Sequence, residues 1–305
     1  MRRETALLLA ILVVLGASWG VTQPLAKIAV SEGYRHFAIV FWQLVIGAVL
    51  LGAIVLAQGR TLPRSARHIR LYLLIALIGT IFPNSASYQA VVHLPAGIVS
   101  ILMSLVPMLA FPMALALGID RFNWGRLLGL CLGFAGVILL VAPETSLPNP
   151  AMVAFIPLAL IAPTFYALEG NVVAKWGTLD LNPVQLLCGA SCVGIPIAGV
   201  LAVGSGQFIS PLPPWGLPDL AIVLSSTLHT VVYVIYLWLV GRAGAVFAAQ
   251  VAYLVTGFGV IWAMLILGER FSVFVWAALL AMFLGLFLVQ PRPRGTVERT
   301  VPAGQ

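Results

Sequence analysis

Charge is what this sequence has least of. Of 305 residues only 8% are Asp, Glu, Lys or Arg, whereas a soluble domain carries about 25%. So few charges cannot cover a water-facing surface of this size, which excludes an ordinary soluble globule. Cysteine is nearly as scarce: Cys131, Cys188 and Cys192 are odd in number and all lie in apolar stretches. That excludes a disulfide framework, and the i,i+4 pair Cys188–Cys192 has no histidine beside it, so these cysteines read as small packing residues and not as a metal site. Catalytic signatures are missing too. The chain has no Gly-x-Ser-x-Gly elbow, no His-Glu-x-x-His, no Walker lysine loop and no facing pair of carboxylates. The reading is therefore of a non-enzyme with no bound cofactor and no metal. The net charge of +7 does not point to nucleic acid, because the basic residues stand singly or in short groups between apolar runs and form no stripe.

What is present in quantity is apolar sequence: 61% of residues, with a mean hydropathy of +1.08. A membrane-spanning helix needs about 20 apolar residues. The chain offers ten such runs, at 5–27, 36–57, 70–92, 96–117, 124–142, 151–175, 183–203, 217–240, 244–266 and 273–290. Arg2 and Arg3 followed by the first run resemble a secretion signal, but that run is long and nine equivalents follow, so it reads as the first span. The fold expected is an all-α membrane protein of ten transmembrane helices. Loop charge sets its orientation. With the N-terminus cytoplasmic, inside segments hold thirteen Lys and Arg, among them Arg60, Arg64, Arg67 and Arg70, and outside segments hold only Lys27, Arg35 and Arg270. Both termini are then expected inside, in an inner (plasma) membrane.

The ten runs fall into two sets of five, separated by the break 143–150. Shifting the chain by 149 positions lays Asp120-Arg121-Phe122 on Glu269-Arg270-Phe271, Ala96 on Ala245 and Gly136 on Gly285. Five is odd, so the second unit enters the membrane from the opposite side, a recurrent plan of secondary transporters. The expected units are 1–146 and 147–291, with a cytoplasmic tail at 292–305.

Certain residues also carry a family resemblance. They are Gly16-Ala17-Ser18-Trp19-Gly20 through Lys27, then Ala96-Gly97, Pro107, Leu117-Gly118, Asp120-Arg121-Phe122, Gly129 and Gly136. In the second copy they are Gly244-Ala245, Leu267-Gly268-Glu269-Arg270-Phe271 and Gly285. In these the chain resembles the EamA-type ten-helix members of the drug/metabolite transporter superfamily, over nearly its whole length. It departs from them at Ile119-Asp120, where a direct Gly-Glu is usual, and at Thr256, where a proline like Pro107 is usual. The resemblance implies transport of a small metabolite, often export, without naming the cargo.

Polar side chains inside lipid are costly and face the bundle interior. Thr80, Asn84 and Ser87 stand at i, i+4, i+7 on the third run, and the shift of 149 maps them onto His229, Tyr233 and Tyr236 on the eighth. Two such stripes at symmetric places either line a solute cavity or tie helices together. Tyr88, next to Ser87, joins the candidates. Trp19 and Gln23 on the first run, Tyr166 on the sixth, Ser100 on the fourth and Gln250 and Tyr253 on the ninth complete the expected substrate-binding set. Glu169 is the only acid well inside a run, either a proton- or ammonium-binding carboxyl or an interfacial glutamate paired with Lys175 or a loop arginine. His229 is the second candidate for proton coupling. The expected function is a secondary transporter, by the resemblance an exporter, that moves a small polar or amphipathic metabolite such as an amino acid by alternating access, an uncoupled facilitator being the alternative and a membrane enzyme the more remote one. Its expected partners are that solute and the lipid bilayer, without nucleic acid. Gly125, Gly129 and Gly133 recur every fourth residue and allow close helix approach, within the chain or across a homodimer.

Overall fold

The computed structural model describes residues 2–243 and 245–289; Gly244 and the expected tail 292–305 lie outside the described residues. Those residues form an all-helical bundle of ten apolar segments, eight of full spanning length and two of 17 residues. They are α1 (Ala6–Ser31), α2 (His36–Ala57), α3 (Ala66–His93), α4 (Ala96–Ala116) and α5 (Trp124–Val141). The second five are α6 (Pro150–Trp176), α7 (Pro183–Gly204), α8 (Leu217–Ala243), α9 (Val251–Leu267) and α10 (Val273–Val289).

Helix ends are set by recognisable local chemistry. The Asn182 side chain accepts the Gln185 N–H at 2.7 Å while the Gln185 side chain accepts the Asn182 N–H, a capping box that starts α7 with Pro183 at its first position. Asn123 caps α5 by accepting from the Arg126 N–H at 3.1 Å. Gly268 closes α9 with φ +67°, which a side chain would strain.

The ninth run departs from expectation. Instead of one helix over 244–266, a short turn Ala245–Ala248 precedes a tight step in which the Ala252 and Tyr253 N–H groups reach back only three residues. The fourth run has a matching step at Ser104–Leu105, just before Pro107, whose missing N–H cannot continue the ladder. α3 carries a π-helical turn over Leu77–Ile81, ahead of Pro83.

Packing follows the internal repeat. α1 packs on α9 as α6 packs on α4, α1 on α8 as α6 on α3, and α2 on α8 as α7 on α3. The self-symmetric pairs α5–α10, α2–α7 and α4–α9 lie across the axis. The chain is thus two inverted five-helix repeats. The α5–α10 crossing is closest where Gly129 and Gly285 oppose each other; a Cβ on either would come within 2.6 Å of the other's carbonyl oxygen. Gly133 abuts Met108 and Leu105. The Gly129 and Gly133 positions of the glycine stripe are therefore used inside the chain.

One face of the bundle bears the proline loop 205–218. The largest apolar core joins α1–α6 and α8–α10 through residues such as Leu25, Ile39, Val91, Ile98, Ile156 and Ile222, and along α4 and α10 it reaches Phe111, which Arg126 overlies, and Val289. Toward the face that carries Arg60, Arg64, Arg67 and Arg70, two smaller apolar groups stand apart from that core. Leu12, Leu15, Val232 and Leu239 pack on α1 and α8, whereas Tyr72, Ile75, Leu186 and Ala190 pack separately on α3 and α7.

Candidate functional site

Two groups of polar residues stand in the bundle interior, the first beside the Leu12–Leu239 cluster. On one side, α1 and α8 meet through aromatic rings. Trp19 lies 5.8 Å from His229, 6.1 Å from Tyr233 and 5.6 Å from Tyr236, all edge-on or tilted. Its indole N–H donates to His229 Nδ1 at 3.0 Å. An indole nitrogen can only donate, so Nδ1 is unprotonated and the neutral ring carries its proton on Nε2.

On the other side, α2, α3 and α6 meet through amides and phenols. Gln43 Oε1 accepts from Asn84 Nδ2 at 3.0 Å and from the Tyr88 hydroxyl at 2.9 Å. The Tyr166 hydroxyl donates to Asn84 Oδ1. Asn84 is 8% exposed and thereby satisfied at both ends of its amide. The two sides obey the repeat: an α1 ring meets α8 where an α6 phenol meets α3.

Glu169 stands one turn beyond Tyr166 on α6. Its carboxylate rests against Gly79 of α3. No side chain is possible at Gly79 without moving that carboxylate. Among the described residues nothing hydrogen-bonds Glu169 or forms an ion pair with it. Lys175, one of the partners the interfacial reading allowed, donates instead to the Leu117 carbonyl at 3.0 Å.

Not every expected site residue joins this constellation. Ser100 is 4% exposed, donates to Ala96 O at 3.1 Å and fills the α4–α9 seam against Gly259. Gln250 is exposed on the step before α9. The Tyr253 ring packs edge-on against Phe283 of α10, 5.6 Å away, and its hydroxyl is buried without a partner among the described residues. These three were expected as polar residues within the fourth and ninth runs, and the structure places Ser100 and Tyr253 at helix seams and Gln250 on the exposed step. Ser87 is buried one turn from Asn84, and Gln23 has a buried amide oxygen with no partner among the described residues. Asn171 serves as helix glue, donating to Ala110 O and Ala167 O at 3.0 and 2.8 Å. Gln43 was missed at the sequence level, although a lone amide within the apolar run 37–57 is the kind of signal that singled out Asn84.

The proline face is cross-linked by polar contacts. The Tyr34 hydroxyl donates to Asp219 Oδ1 at 2.8 Å, the Phe37 N–H to Gln207 Oε1 at 3.1 Å, and Trp42 Nε1 to Ile209 O at 3.1 Å. Burial first, then the Asp219 hydrogen bond, raises the Tyr34 phenol above its ordinary value, so it remains a donor at neutral pH. A loop pocket of about 390 Å³ lies outside these ties, lined by Gly33, Tyr34, Arg35, Gln207 and Asp219, and is separate from the aromatic group.

A comparison with curated proteins found no match. Solved structures match in 23 chains. One of them, described only as "Crystal structure of protein", aligns over 93% of this chain and 97% of its own with a TM-score of 0.61 and 16% identity, which speaks to fold alone. The sequence itself matches the EamA-like transporter family over residues 5–142 and 154–290, one match on each side of the proline-rich break. With two family segments and ten apolar helices paired by inversion, this chain belongs to the EamA-like transporter family, within the drug/metabolite transporter superfamily.

Proposed function

We propose that this transporter is a secondary carrier that exports a small polar or amphipathic metabolite, such as an amino acid, by alternating access. The units 1–146 and 147–291 rock about a site formed by Trp19, Tyr88, Asn84, Tyr166, His229, Tyr233 and Tyr236. Carrying this reading is Glu169: an acid without a partner among the described residues, one turn beyond Tyr166 on α6 and held against Gly79 of α3. An unpaired carboxylate in a spanning helix is costly, by about 3 kcal/mol at a helix centre and less toward an end. Such a group gains its compensation from what it binds, a proton or a substrate ammonium. The aromatic rings around it suit the same cation. Without a nucleotide-binding motif the driving force is an ion or solute gradient. The arginine-rich face is cytoplasmic, in the inner membrane.

The test is counterflow of a labelled metabolite panel in proteoliposomes, with and without an imposed pH gradient. Accumulation of an amine-bearing class that follows the gradient is expected, and Glu169→Gln should abolish its pH response. Accumulation indifferent to the gradient in both proteins identifies a facilitator and ends the coupling role.

A further inference from the structure

The elbow between α3 and α4, on the proline face, is held at both helix ends by charges from distant parts of the chain. Lys27 of α1 aims its ammonium at the last carbonyls of α3, donating to Val91 O at 2.6 Å and Leu94 O at 3.1 Å. Glu269, just beyond α9, accepts the first amides of α4, Ala96 N–H at 2.6 Å and Gly97 N–H at 3.0 Å. A helix C-terminus is partially negative and an N-terminus partially positive, so each charge meets its complement. Phe271 completes the contact by lying on Gly97, where a Cβ would strike its ring.

The inverted repeat contains a second set of these groups on the basic face. A shift of 149 maps Glu269 to Asp120, Phe271 to Phe122 and the Ala96–Gly97 amides to those of Ala245–Val246. It maps Lys27 to Trp176, next to Lys175. In this structure the second set is engaged elsewhere. Asp120 pairs with Arg126 and accepts the Arg121 N–H at 2.8 Å, and Lys175 bonds Leu117 O. Phe122 is 54% exposed while Phe271 is tucked in.

We propose that these are two exchangeable gate clamps. Lys27 and Glu269 hold the proline face closed. When that face opens they release the α3–α4 elbow, and Asp120 and Lys175 take the corresponding amides and carbonyls of the α8–α9 elbow. The inference rests on the alternating-access reading.

Single cysteines decide it, placed in full-length protein whose exposed Cys131 and Cys192 are replaced by Ala and which is reconstituted in liposomes. Ala221→Cys reports on the proline face from within the largest core, and Val173→Cys reports on the basic face one turn beyond Glu169. An impermeant maleimide is applied from each side. Glu269→Gln removes the charge of two charge-assisted hydrogen bonds and should raise labelling of the proline-face reporter about fivefold or more while lowering it at the basic-face reporter. Asp120→Asn, at a half-exposed residue, should do the reverse and stands alone if Glu269→Gln does not fold. Shifts of both variants in the same direction overturn the clamps. If both reporters label in the parent protein and neither variant changes the ratio, the clamps fail and alternating access stands. If the proline-face reporter stays unlabelled in the parent, in Glu269→Gln and in Lys27→Met, alternating access fails and the clamps with it.

Discussion

Single residues set the chemistry of the candidate site. The Trp19–His229 bond requires a bare Nδ1, so a second proton on the ring would set one donor against another and break it. Nitrogen-15 NMR of labelled histidine at neutral pH should therefore find His229 as the Nε2–H tautomer; an Nδ1–H resonance would rule the bond out. Gly79 offers a cleaner probe of Glu169 than a substitution of the acid itself. A methyl there meets only the far end of a flexible side chain, so Gly79→Ala should fold with a stability change within about 1 kcal/mol. The displaced carboxylate should nonetheless lower gradient-driven transport by about tenfold, read in the counterflow assay, because binding geometry is sensitive to such shifts. Glu169 was legible in the sequence as an acid in an apolar run. Its partner glycine was not, since any of 29 glycines could have faced it.

Helices and their crossings carry the stability. At the α5–α10 crossing each glycine faces the other's backbone, which cannot move aside as a side chain can. Gly285→Ala should cost about 1–3 kcal/mol, measured as a lower Tm in detergent, with Gly129→Ala alike. A tolerated methyl at both sites would mean the helices stand farther apart. Gln43 ties three helices by accepting from α3 twice while Asn84 holds α6. Replacing it with Leu leaves an amide and a hydroxyl without their acceptor, at about 1–3 kcal/mol, and should loosen the α3 side of the site. Transport should then show weakened apparent affinity with the aromatic α1–α8 side intact. The stripe of Thr80, Asn84 and Ser87 identified α3 from sequence, but the residue satisfying it sits 41 positions earlier, beyond the reach of any helical period. Ser100 and Tyr253 were expected at the site only as polar residues in apolar runs, and their contacts lie instead along the α4–α9 and α9–α10 seams.

At the scale of the whole molecule the inverted pairing predicts that the ends of the chain share a face. A C-terminal fluorescent-protein fusion should fluoresce and a C-terminal phosphatase fusion should stay silent; the opposite pattern would reverse the orientation argued from loop arginines. The proline face is joined by polar ties between the α1–α2 and α7–α8 connections as well as by apolar packing.

Composition alone determined that this chain belongs in lipid, because 8% charge cannot clothe a soluble surface and ten apolar runs have the length of a bilayer. Parity and the shift of 149 determined the inverted repeat, since hydropathy is a local property that survives without coordinates. Tertiary structure alone decided which polar groups meet. Trp19 and His229 are 210 positions apart, and Ala96 and Glu269 are 173 apart. Contacts at that separation follow from helix rotation, from the steps in α4 and α9 and from the crossing of glycines, none of which a one-dimensional period contains.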